Sequence, residues 1–273
     1  MTFRYVKLHG AGNSYVYVEA SDLPAERHWP AVARALSDPA TGLGGDGLIV
    51  VGPSPAAVCS MRIFNQDGSE AEFCGNGVRA LGKYLYDRGR AQGQFLVSTR
   101  AGSVGLEVLQ TRAGRAWELA VTVPRPRVMD VAAPFVLETV GRRLALIRVD
   151  VGNPHAVLLR EGRLPSKKWL RTAGPAVSRH PLFADGVNFH AAAVADRSRV
   201  TVWHFERGSG ETRACGSGAI AVYAAGRAAD LLGERVRVKA PGGLLSVEDA
   251  GRAGLRLIGP AREVSRGWFS TGR

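Results

Sequence analysis

Glu206–Gly218, ERGSGETRACGSG, places Cys215 in a glycine-rich turn directly before the apolar run Ala219–Gly233, AIAVYAAGRAADLLG. A run that is apolar on nearly every side predicts a buried helix, and Gly233 is the residue expected to close it. Cys215 should then lie at the N-terminus of this helix. The free backbone N–H groups and the positive end of the helix dipole favour a thiolate there, and they can also bind a carboxylate.

The same pattern occurs a second time, 141 residues earlier in the chain. FNQDGSEAEFCGNGVRA, from Phe64, aligns without a gap with FERGSGETRACGSGAIA, from Phe205, and pairs Cys74 with Cys215. Two shorter signals recur in the same order at nearly the same offset, namely Gly12-Asn13 with Gly152-Asn153 and Asp46-Gly47 with Asp185-Gly186. Three features in a shared order favour an internal duplication over chance, with two similar halves that face one another.

The length of the chain agrees with two domains. A chain of 273 residues most naturally forms two units of roughly 100–150 residues each. We place the first at 1–123, with Cys74, and the second at 124–261, with Cys215. Pro124–Val128, PRPRV, is the predicted linker because of its proline and arginine content. The residues alone leave open which half the last segment, 262–273, joins.

Hydrophobic periodicity predicts further helices and many strands, which together indicate an α/β (α+β) fold. The predicted helices are Pro24–Leu36, a helix that follows Cys74 and ends at Gly89, and Leu164–Ser178. Cys59 lies in AAVCSMRIF, which has the pattern of a strand, and we expect it to be a buried packing residue.

The composition argues against several classes of function. The formal charge is +12 and the pI near 10.3, but the arginines form no block of five or six, so we expect no nucleic-acid binding. No apolar run reaches the roughly 18 residues that span a membrane, and the N-terminus does not resemble a signal peptide. A cytoplasmic protein is therefore expected. Three cysteines make no paired disulfide framework, and the six histidines show no metal-ligand spacing.

Two cysteines at equivalent helix ends suggest a reaction with two equivalent faces. A thiolate can remove a proton from one face of a carbon while a thiol delivers a proton to the other face, which inverts a stereocentre. A carbon α to a carboxylate suits such a site, because the helix N-termini stabilise the negative charge that develops. His155 and Glu206 are the candidates to move protons to and from the cysteines. This chemistry requires no pyridoxal phosphate, although the sequence leaves a Schiff-base lysine open.

Several motifs together resemble one known family, the diaminopimelate epimerases. They are KLHGAGN, GLGGDGLI, FNQDGSEAEFCGNGVRA, GNPHAV, VNF and FERGSGETRACGSGA, which span nearly the whole chain. The resemblance implies an isomerase without a cofactor that converts LL- to meso-diaminopimelate, a precursor of lysine and peptidoglycan. It also implies two domains, each a curved β-sheet wrapped around a central helix, with the site in the cleft between them. The family further suggests that 262–273 returns to the first domain and that the protein forms a homodimer.

The resemblance also assigns roles to individual residues. It implies Cys74 and Cys215 as the acid/base pair, supported by His155 and Glu206. The residues expected to bind the carboxylate of the reacting centre are Gly75, Asn76, Gly216 and Ser217. The residues similar to those that hold the distal end of the substrate are Asn65, Asn153, Asn188 and Arg207, where Arg207 can pair with a carboxylate in a bidentate manner. Asn13 matches an early binding asparagine.

Two positions depart from the family pattern, and other functions stay open. Ser14 stands where many members have aspartate, and Gly47 stands where some have a glutamine that reaches the substrate. One alternative is a related racemase that acts on another amino acid, such as histidine, without pyridoxal phosphate. A basic nucleic-acid-binding protein and a redox switch that uses the two cysteines are the remaining alternatives.

Overall fold

The computed structural model describes residues 2–270, and within this range it contains four α-helices and nineteen strands. The helices are α1 (Trp29–Ser37), α2 (Gly75–Tyr86), α3 (Lys167–Ser178) and α4 (Gly216–Ala228). The strands are β1 (Thr2–Gly10), β2 (Asn13–Glu19), β3 (Gly47–Gly52), β4 (Ser60–Asn65), β5 (Glu70–Ala71), β6 (Gln94–Thr99), β7 (Gly102–Arg112), β8 (Arg115–Val123), β9 (Arg127–Val128), β10 (Phe135–Thr139), β11 (Arg142–Asp150), β12 (Pro154–Glu161), β13 (Asn188–Asp196), β14 (Arg199–Glu206), β15 (Gly210–Thr212), β16 (Arg235–Ala240), β17 (Gly243–Asp249), β18 (Leu255–Pro260) and β19 (Arg262–Ser270). The predicted α+β class is confirmed.

The contacts between residues divide the protein into two compact units. The first comprises Met1–Val121 with Ile258–Arg273, and the second comprises Thr122–Leu257. Within the first unit, β19 pairs antiparallel with β1 along almost its whole length. The segment 262–273 of the sequence prediction includes residues 271–273, which lie outside the described residues.

The first unit packs one helix on each face of its sheet. β1 pairs with β2, β2 runs parallel to β3, and β3 pairs antiparallel with β4. Side chains alternate between the two faces of a strand. Val16 and Val18 of β2 therefore join Trp29 and Leu36 of α1 in one apolar cluster, whereas the hydroxyl of Tyr17 donates to a carbonyl of α2. Residues of α2 are buried continuously through its first three turns, so α2 is the central helix of this unit.

The second unit repeats this arrangement. β11 pairs antiparallel with β12, β12 runs parallel to β13, and β13 pairs antiparallel with β14. Phe189 and Trp203 pack with α3 on one face of these strands. On the other face lies α4, which is built largely from alanine, glycine and valine and is buried from Ala219 through Gly226. Small side chains allow the strands to approach the helix on several sides, so α4 is the central helix here.

The helix after Cys215 ends five residues earlier than the sequence predicted. α4 stops at Ala228 rather than at Gly233, and Asp230 has a left-handed φ of 54°. The N–H groups of Leu231 and Leu232 then donate back to the carbonyl of Gly226. A Cβ at Gly226 would lie 2.3 Å from the Leu232 Cδ1 atom. The chain therefore folds back over the helix because a glycine leaves room for a leucine, and the apolar leucines close the helix instead of extending it.

Three smaller expectations also needed correction. The predicted linker Pro124–Val128 is partly a strand, because Arg127–Val128 pairs with the end of β11. α2 ends at Tyr86, and Gly89 lies beyond it with a left-handed φ of 70°. Cys59 comes directly before β4 rather than inside a strand, but it is fully buried as expected, and burial raises the pKa of its thiol to about 11.

Candidate active site

Cys74 and Cys215 cap the two central helices in the same way. Cys74 has extended backbone angles, and its Sγ accepts a hydrogen bond of 3.4 Å from the Gly77 N–H. Cys215 is also extended, and its Sγ accepts from the Gly218 N–H at 3.2 Å. The side chain of an N-cap residue takes up an N–H group that has no partner inside the helix. The duplicated sequence motif therefore produces one sulfur atom at the positive end of each central helix.

In the first unit, Asn13 and Asp46 support Cys74. The Cys74 thiol donates to Asn13 Oδ1 at 3.4 Å. Asn13 Nδ2 in turn donates to Asp46 Oδ2 at 2.8 Å, and the Ser14 N–H donates to the same oxygen at 2.6 Å. Burial raises the pKa of Asp46, and the bonds from Ser14 and Asn13 oppose this rise. Sequence reasoning assigned no site role to Asp46, although its repeated Asp-Gly dipeptide was a signal that could have identified it.

A fully buried arginine also lies close to Cys74. Arg79 lies within α2 and is fully buried. Its Nη2 donates to Asn76 Oδ1 at 2.8 Å, and its Nε donates to the Pro260 carbonyl at 3.2 Å. Burial lowers the pKa of Arg79 to about 10, and the charges of Cys74 and Tyr17 act in the opposite direction. The side chain of Asn76 is thus engaged with Arg79, which leaves the backbone N–H groups of Gly75 and Asn76 as the groups suited to a substrate carboxylate.

The structure explains one of the two departures from the family pattern. Gly47 has a φ of 153°, and a Cβ on it would lie 2.1 Å from the carbonyl oxygen of Phe64. A side chain at this position has no room in this backbone. Asn65, the neighbouring residue, uses its Nδ2 to donate to Ser69 Oγ at 3.0 Å within the following turn. Its predicted contact with the distal end of the substrate remains a prediction.

The second cysteine is more deeply enclosed. Cys215 is 3% exposed, and its Sγ lies 3.4 Å from Ser217 Oγ. Burial raises the pKa of the Cys215 thiol well above its usual range, and Glu206 adds to this rise by charge and by a hydrogen bond, whereas Ser217 and the Gly218 N–H oppose it. Desolvation therefore opposes a thiolate at Cys215, and the favourable effect of the helix end on that thiolate remains a prediction.

Glu206 is held beside Cys215 by the turn that follows its strand, β14. Its Oε1 accepts a bond of 2.5 Å from the Thr212 hydroxyl, because β14 and β15 pair across the turn that contains the ERG sequence. A carboxylate in hydrogen-bond reach of a thiol can accept its proton or hold it in place. Glu206 therefore lies close to Cys215, and its proton-transfer role remains a prediction.

His155 lies on β12 with both ring nitrogens hydrogen bonded. Its Nε2 is 2.8 Å from Asn153 Oδ1, and its Nδ1 is 2.8 Å from His190 Nε2. Burial lowers the pKa of His155 to about 3, and the charges of His204 and Arg207 lower it further. His155 is therefore neutral at physiological pH. A role in moving protons to or from a cysteine remains a prediction, and it would require one of these two bonds to open.

Asn188 and Arg207 are linked through the backbone. Asn188 Nδ2 donates to the Pro154 carbonyl at 3.0 Å, and its Oδ1 accepts from the Arg207 N–H at 3.0 Å. Asn188 therefore holds the Gly-Asn-Pro-His turn and the Glu-Arg-Gly turn in place. The Arg207 Nη1 donates to the Asp185 carbonyl at 2.9 Å. Glu206 and Arg207 both line a cavity of about 360 Å³ within the second unit.

Residues 2–270 contain no cluster of three or more His, Cys, Asp or Glu side chains arranged to hold a metal ion. Over the same range, no helix is both long enough and apolar enough to cross a membrane.

The chain matches known proteins over nearly all of its length. A family model described as diaminopimelate epimerase matches residues 5–117 and 147–264. The diaminopimelate epimerase of Geobacillus kaustophilus is 36% identical over 288 residues, which covers 98% of this chain and 97% of that protein. The diaminopimelate epimerase of Desulfovibrio desulfuricans is 38% identical and covers 90% of this chain and 91% of that protein.

Among solved structures, the chain resembles a phenazine biosynthesis protein of the PhzF family from Bacillus anthracis. The TM-score is 0.75 at 15% identity, with 99% of this chain and 100% of that chain covered. At this identity the likeness concerns the fold alone. The family model and the relatives at 36% and 38% identity are the stronger findings, and they lead to one conclusion: the chain belongs to the diaminopimelate epimerase family.

Proposed function

We propose that this protein inverts one α-carbon of LL-2,6-diaminopimelate to give the meso isomer, a precursor of lysine and peptidoglycan. The observation that carries the proposal is the duplicated cysteine N-cap. Cys74 and Cys215 accept hydrogen bonds from the equivalent glycine N–H groups of α2 and α4, in a chain whose relatives are named diaminopimelate epimerases.

The proton transfers require only these two side chains. A thiolate removes the α-proton and becomes a thiol, which leaves a carbanion stabilised by the adjacent carboxylate. The other thiol then delivers its own proton to the opposite face of the same carbon and becomes the thiolate. One C–H bond breaks and one forms, so no net proton is consumed and no cofactor is needed to accept it. Backbone N–H groups at the helix ends stabilise the charge on the carboxylate during the transfer.

The surroundings of the two sulfur atoms support an unequal resting state. Cys74 interacts with the charge of the buried Arg79, and a cation stabilises a thiolate. Cys215 lies beside the Glu206 carboxylate, and burial raises its pKa, which stabilises the thiol. We therefore assign the proton-accepting role to Cys74, whose hydrogen bond to Asn13 Oδ1 exists only in the thiol form. Cys215 has the proton-donating role at the start of the reaction from the LL isomer.

The distal end of the substrate carries a second amino group and a second carboxylate. The guanidinium of Arg207, which lines the 360 Å³ cavity, suits that carboxylate because it offers several donors in a fixed plane. Asn65, Asn153 and Asn188 complete the proposed distal set. A related racemase of a single amino acid such as histidine needs no such set, so the distal groups favour diaminopimelate over that alternative.

The direct test is a substrate panel. The purified protein is incubated with LL-diaminopimelate and, separately, with histidine, proline and other single amino acids, and the stereoisomers are separated by chiral chromatography. We expect the meso isomer to form from LL-diaminopimelate and no inversion of the single amino acids. Inversion of histidine or another amino acid alone would overturn the substrate assignment, and no inversion of any compound would overturn the function.

The assembly and the compartment remain predictions from the family resemblance. A homodimer would elute near twice the mass of 29.1 kDa in size-exclusion chromatography with light scattering, and a monomer at all concentrations tested would contradict it. The cytoplasm is the proposed compartment, in which the two cysteines are kept reduced.

A further inference from the structure

Three buried histidines form a continuous hydrogen-bonded chain across adjacent strands of the second unit. His155 Nδ1 lies 2.8 Å from His190 Nε2, and His190 Nδ1 lies 2.9 Å from His204 Nδ1. The three rings are each at most 1% exposed. β13 and β14 pair His190 directly opposite His204, whereas β12 pairs His155 with Asn188, two residues before His190. We call these residues the histidine chain.

The histidine chain packs directly against the helix turn that caps Cys215. A Cβ on Gly218 would lie 2.6 Å from His190 Cε1, 2.8 Å from His190 Nε2 and 3.0 Å from His204 Nδ1. Only a glycine allows this approach, and the N–H of the same glycine donates to Cys215 Sγ. The rings of His190 and His204 are therefore packed closely against the first turn of α4.

The groups at the two ends of the histidine chain indicate which ring nitrogen of each histidine carries the proton. Burial lowers the pKa of His155 and His204 to about 3 and that of His190 well below its usual range, so each ring is neutral and carries one N–H. Asn153 Oδ1 can only accept, which places the His155 proton on Nε2. His155 Nδ1 must then accept from His190 Nε2–H, and His190 Nδ1 must accept from His204 Nδ1–H.

The histidine chain ends at a ring nitrogen of His204 that cannot pass a proton on. His204 Nε2 is buried and has no hydrogen-bond partner among the described residues. A proton relay needs a further acceptor or donor at its inner end, and none is placed there in residues 2–270. Since the buried His204 Nε2 offers no acceptor for an N–H, the His204 proton is placed on Nδ1 independently of Asn153. The histidine chain therefore fixes which nitrogen of each ring carries the proton, and it does not conduct protons onward.

The order of protons reaches Asn153, which the proposed function assigns to the distal end of the substrate. An amide that accepts through Oδ1 from His155 presents its Nδ2, with two N–H donors, at the other end of the amide group. If the chain were reversed, His155 Nε2 would accept from Asn153 Nδ2, and Oδ1 would be presented instead. A donor binds a carboxylate, whereas a carbonyl oxygen repels it.

We propose that His190 and His204 are positioning residues that hold His155 as its Nε2–H tautomer, and that they thereby orient the Asn153 amide as a donor toward a carboxylate of the substrate. This inference rests on the proposed function for the identity of the substrate. The tautomers themselves are a property of the free protein, so they can be tested without any activity.

The first test is nitrogen NMR of the protein with ¹⁵N-labelled histidine rings. We expect His155 and His190 as Nε2–H tautomers and His204 as the Nδ1–H tautomer, with none of the three titrating between pH 5.5 and 8. His155 as an Nδ1–H tautomer, or as a cation near neutral pH, would overturn the proposal. Because no substrate is present, this result is independent of whether the protein is an epimerase.

The second test compares three variants. His204→Phe removes the donor at the inner end, His204→Gln keeps an N–H donor, and Val202→Ala is the matched control on the same strand and the same face. For His204→Phe we expect a mixture of His155 tautomers and a rise in KM for diaminopimelate of roughly tenfold, the value of one hydrogen bond to a charged group, with a much smaller change in kcat. His204→Gln should recover most of this loss.

Val202→Ala should leave both the tautomers and KM close to those of the unmodified protein. If His204→Phe kept the His155 tautomer unchanged, or if Val202→Ala raised KM equally, the histidines would be packing residues only and the proposal would fail. Should His204→Phe not fold, the NMR result on the unmodified protein and on His204→Gln still decides the question.

Discussion

Gly77→Ala and Gly218→Ala are a matched pair of substitutions at equivalent positions of the two central helices, and we expect them to have different effects. Each glycine is the third residue of its helix, and each donates its N–H to the capping cysteine. A Cβ on Gly77 would lie 2.9 Å from the Ile49 Cδ1 and 3.3 Å from the Met61 Cε, which are the ends of flexible side chains. A Cβ on Gly218 would instead meet two imidazole rings at 2.6–3.0 Å.

The expected magnitudes follow from two opposing effects. Alanine is favoured over glycine inside a helix by up to about 1 kcal/mol. Overpacking a rigid core costs about 1–3 kcal/mol, and the histidine rings cannot move without breaking hydrogen bonds of 2.8 and 2.9 Å. We therefore expect Gly218→Ala to lower the free energy of unfolding by about 1–2 kcal/mol. Gly77→Ala should stay within about 0.5 kcal/mol of the unmodified protein, because methyl ends can shift.

The assay is urea unfolding of both variants, combined with hydrogen exchange of the amides in α2 and α4. Hydrogen exchange assigns any loss of protection to the unit that carries the substitution. The reasoning predicts a selective loss in α4 for Gly218→Ala. It would be refuted if Gly218→Ala were as stable as the unmodified protein, or if Gly77→Ala were the more damaging of the two.

Two further predictions concern charge. His155 and His204 have folded-state pKa values near 3 against about 6.5 when unfolded, so the unfolded state binds protons first as the pH falls. The contribution of these histidines to the free energy of unfolding should therefore be complete above about pH 6.5. It should fall toward pH 3 by up to about 1.4 kcal/mol per pH unit for each histidine. Urea titrations at several pH values measure this slope, and a free energy of unfolding that stays constant between pH 6.5 and 4 would contradict it. Arg79→Met removes a buried cation that interacts with Cys74, so iodoacetamide should alkylate Cys74 several-fold more slowly at fixed pH. The control is Arg88→Met, at an exposed arginine of the same unit, which should leave the alkylation rate unchanged. Equal alkylation rates for the two variants would argue against a stabilised thiolate at Cys74.

Local patterns were sufficient to predict the parts of the site that lie within one stretch of sequence. The cysteine before Gly-x-Gly predicts a helix start, and its repetition predicts two equivalent units. The strand–turn–strand pattern around Asn153 and His155 was equally readable, because alternating apolar residues and a Gly-Asn-Pro turn are short-range signals.

The remaining site residues depend on which strands become neighbours. His190 and His204 lie in apolar strands and are 14 residues apart, and only the antiparallel register of β13 and β14 brings their rings together. Arg79 looked like one of many arginines, because its complete burial follows from the packing of α2. The burial that opposes a Cys215 thiolate has the same cause, since the depth of burial is a property of the tertiary fold and the helix dipole is a local one.

The central claim is that two different thiols act on the two faces of one carbon, and isotope exchange in D₂O tests it most directly. The protein is incubated with LL-diaminopimelate, and deuterium at Cα is measured early in the reaction in both the product and the remaining substrate. We predict deuterium in the meso product, almost none in the recovered LL isomer, and loss of inversion in both Cys74→Ala and Cys215→Ala. Rapid deuterium entry into the recovered LL isomer, or normal inversion by either cysteine variant, would contradict the account.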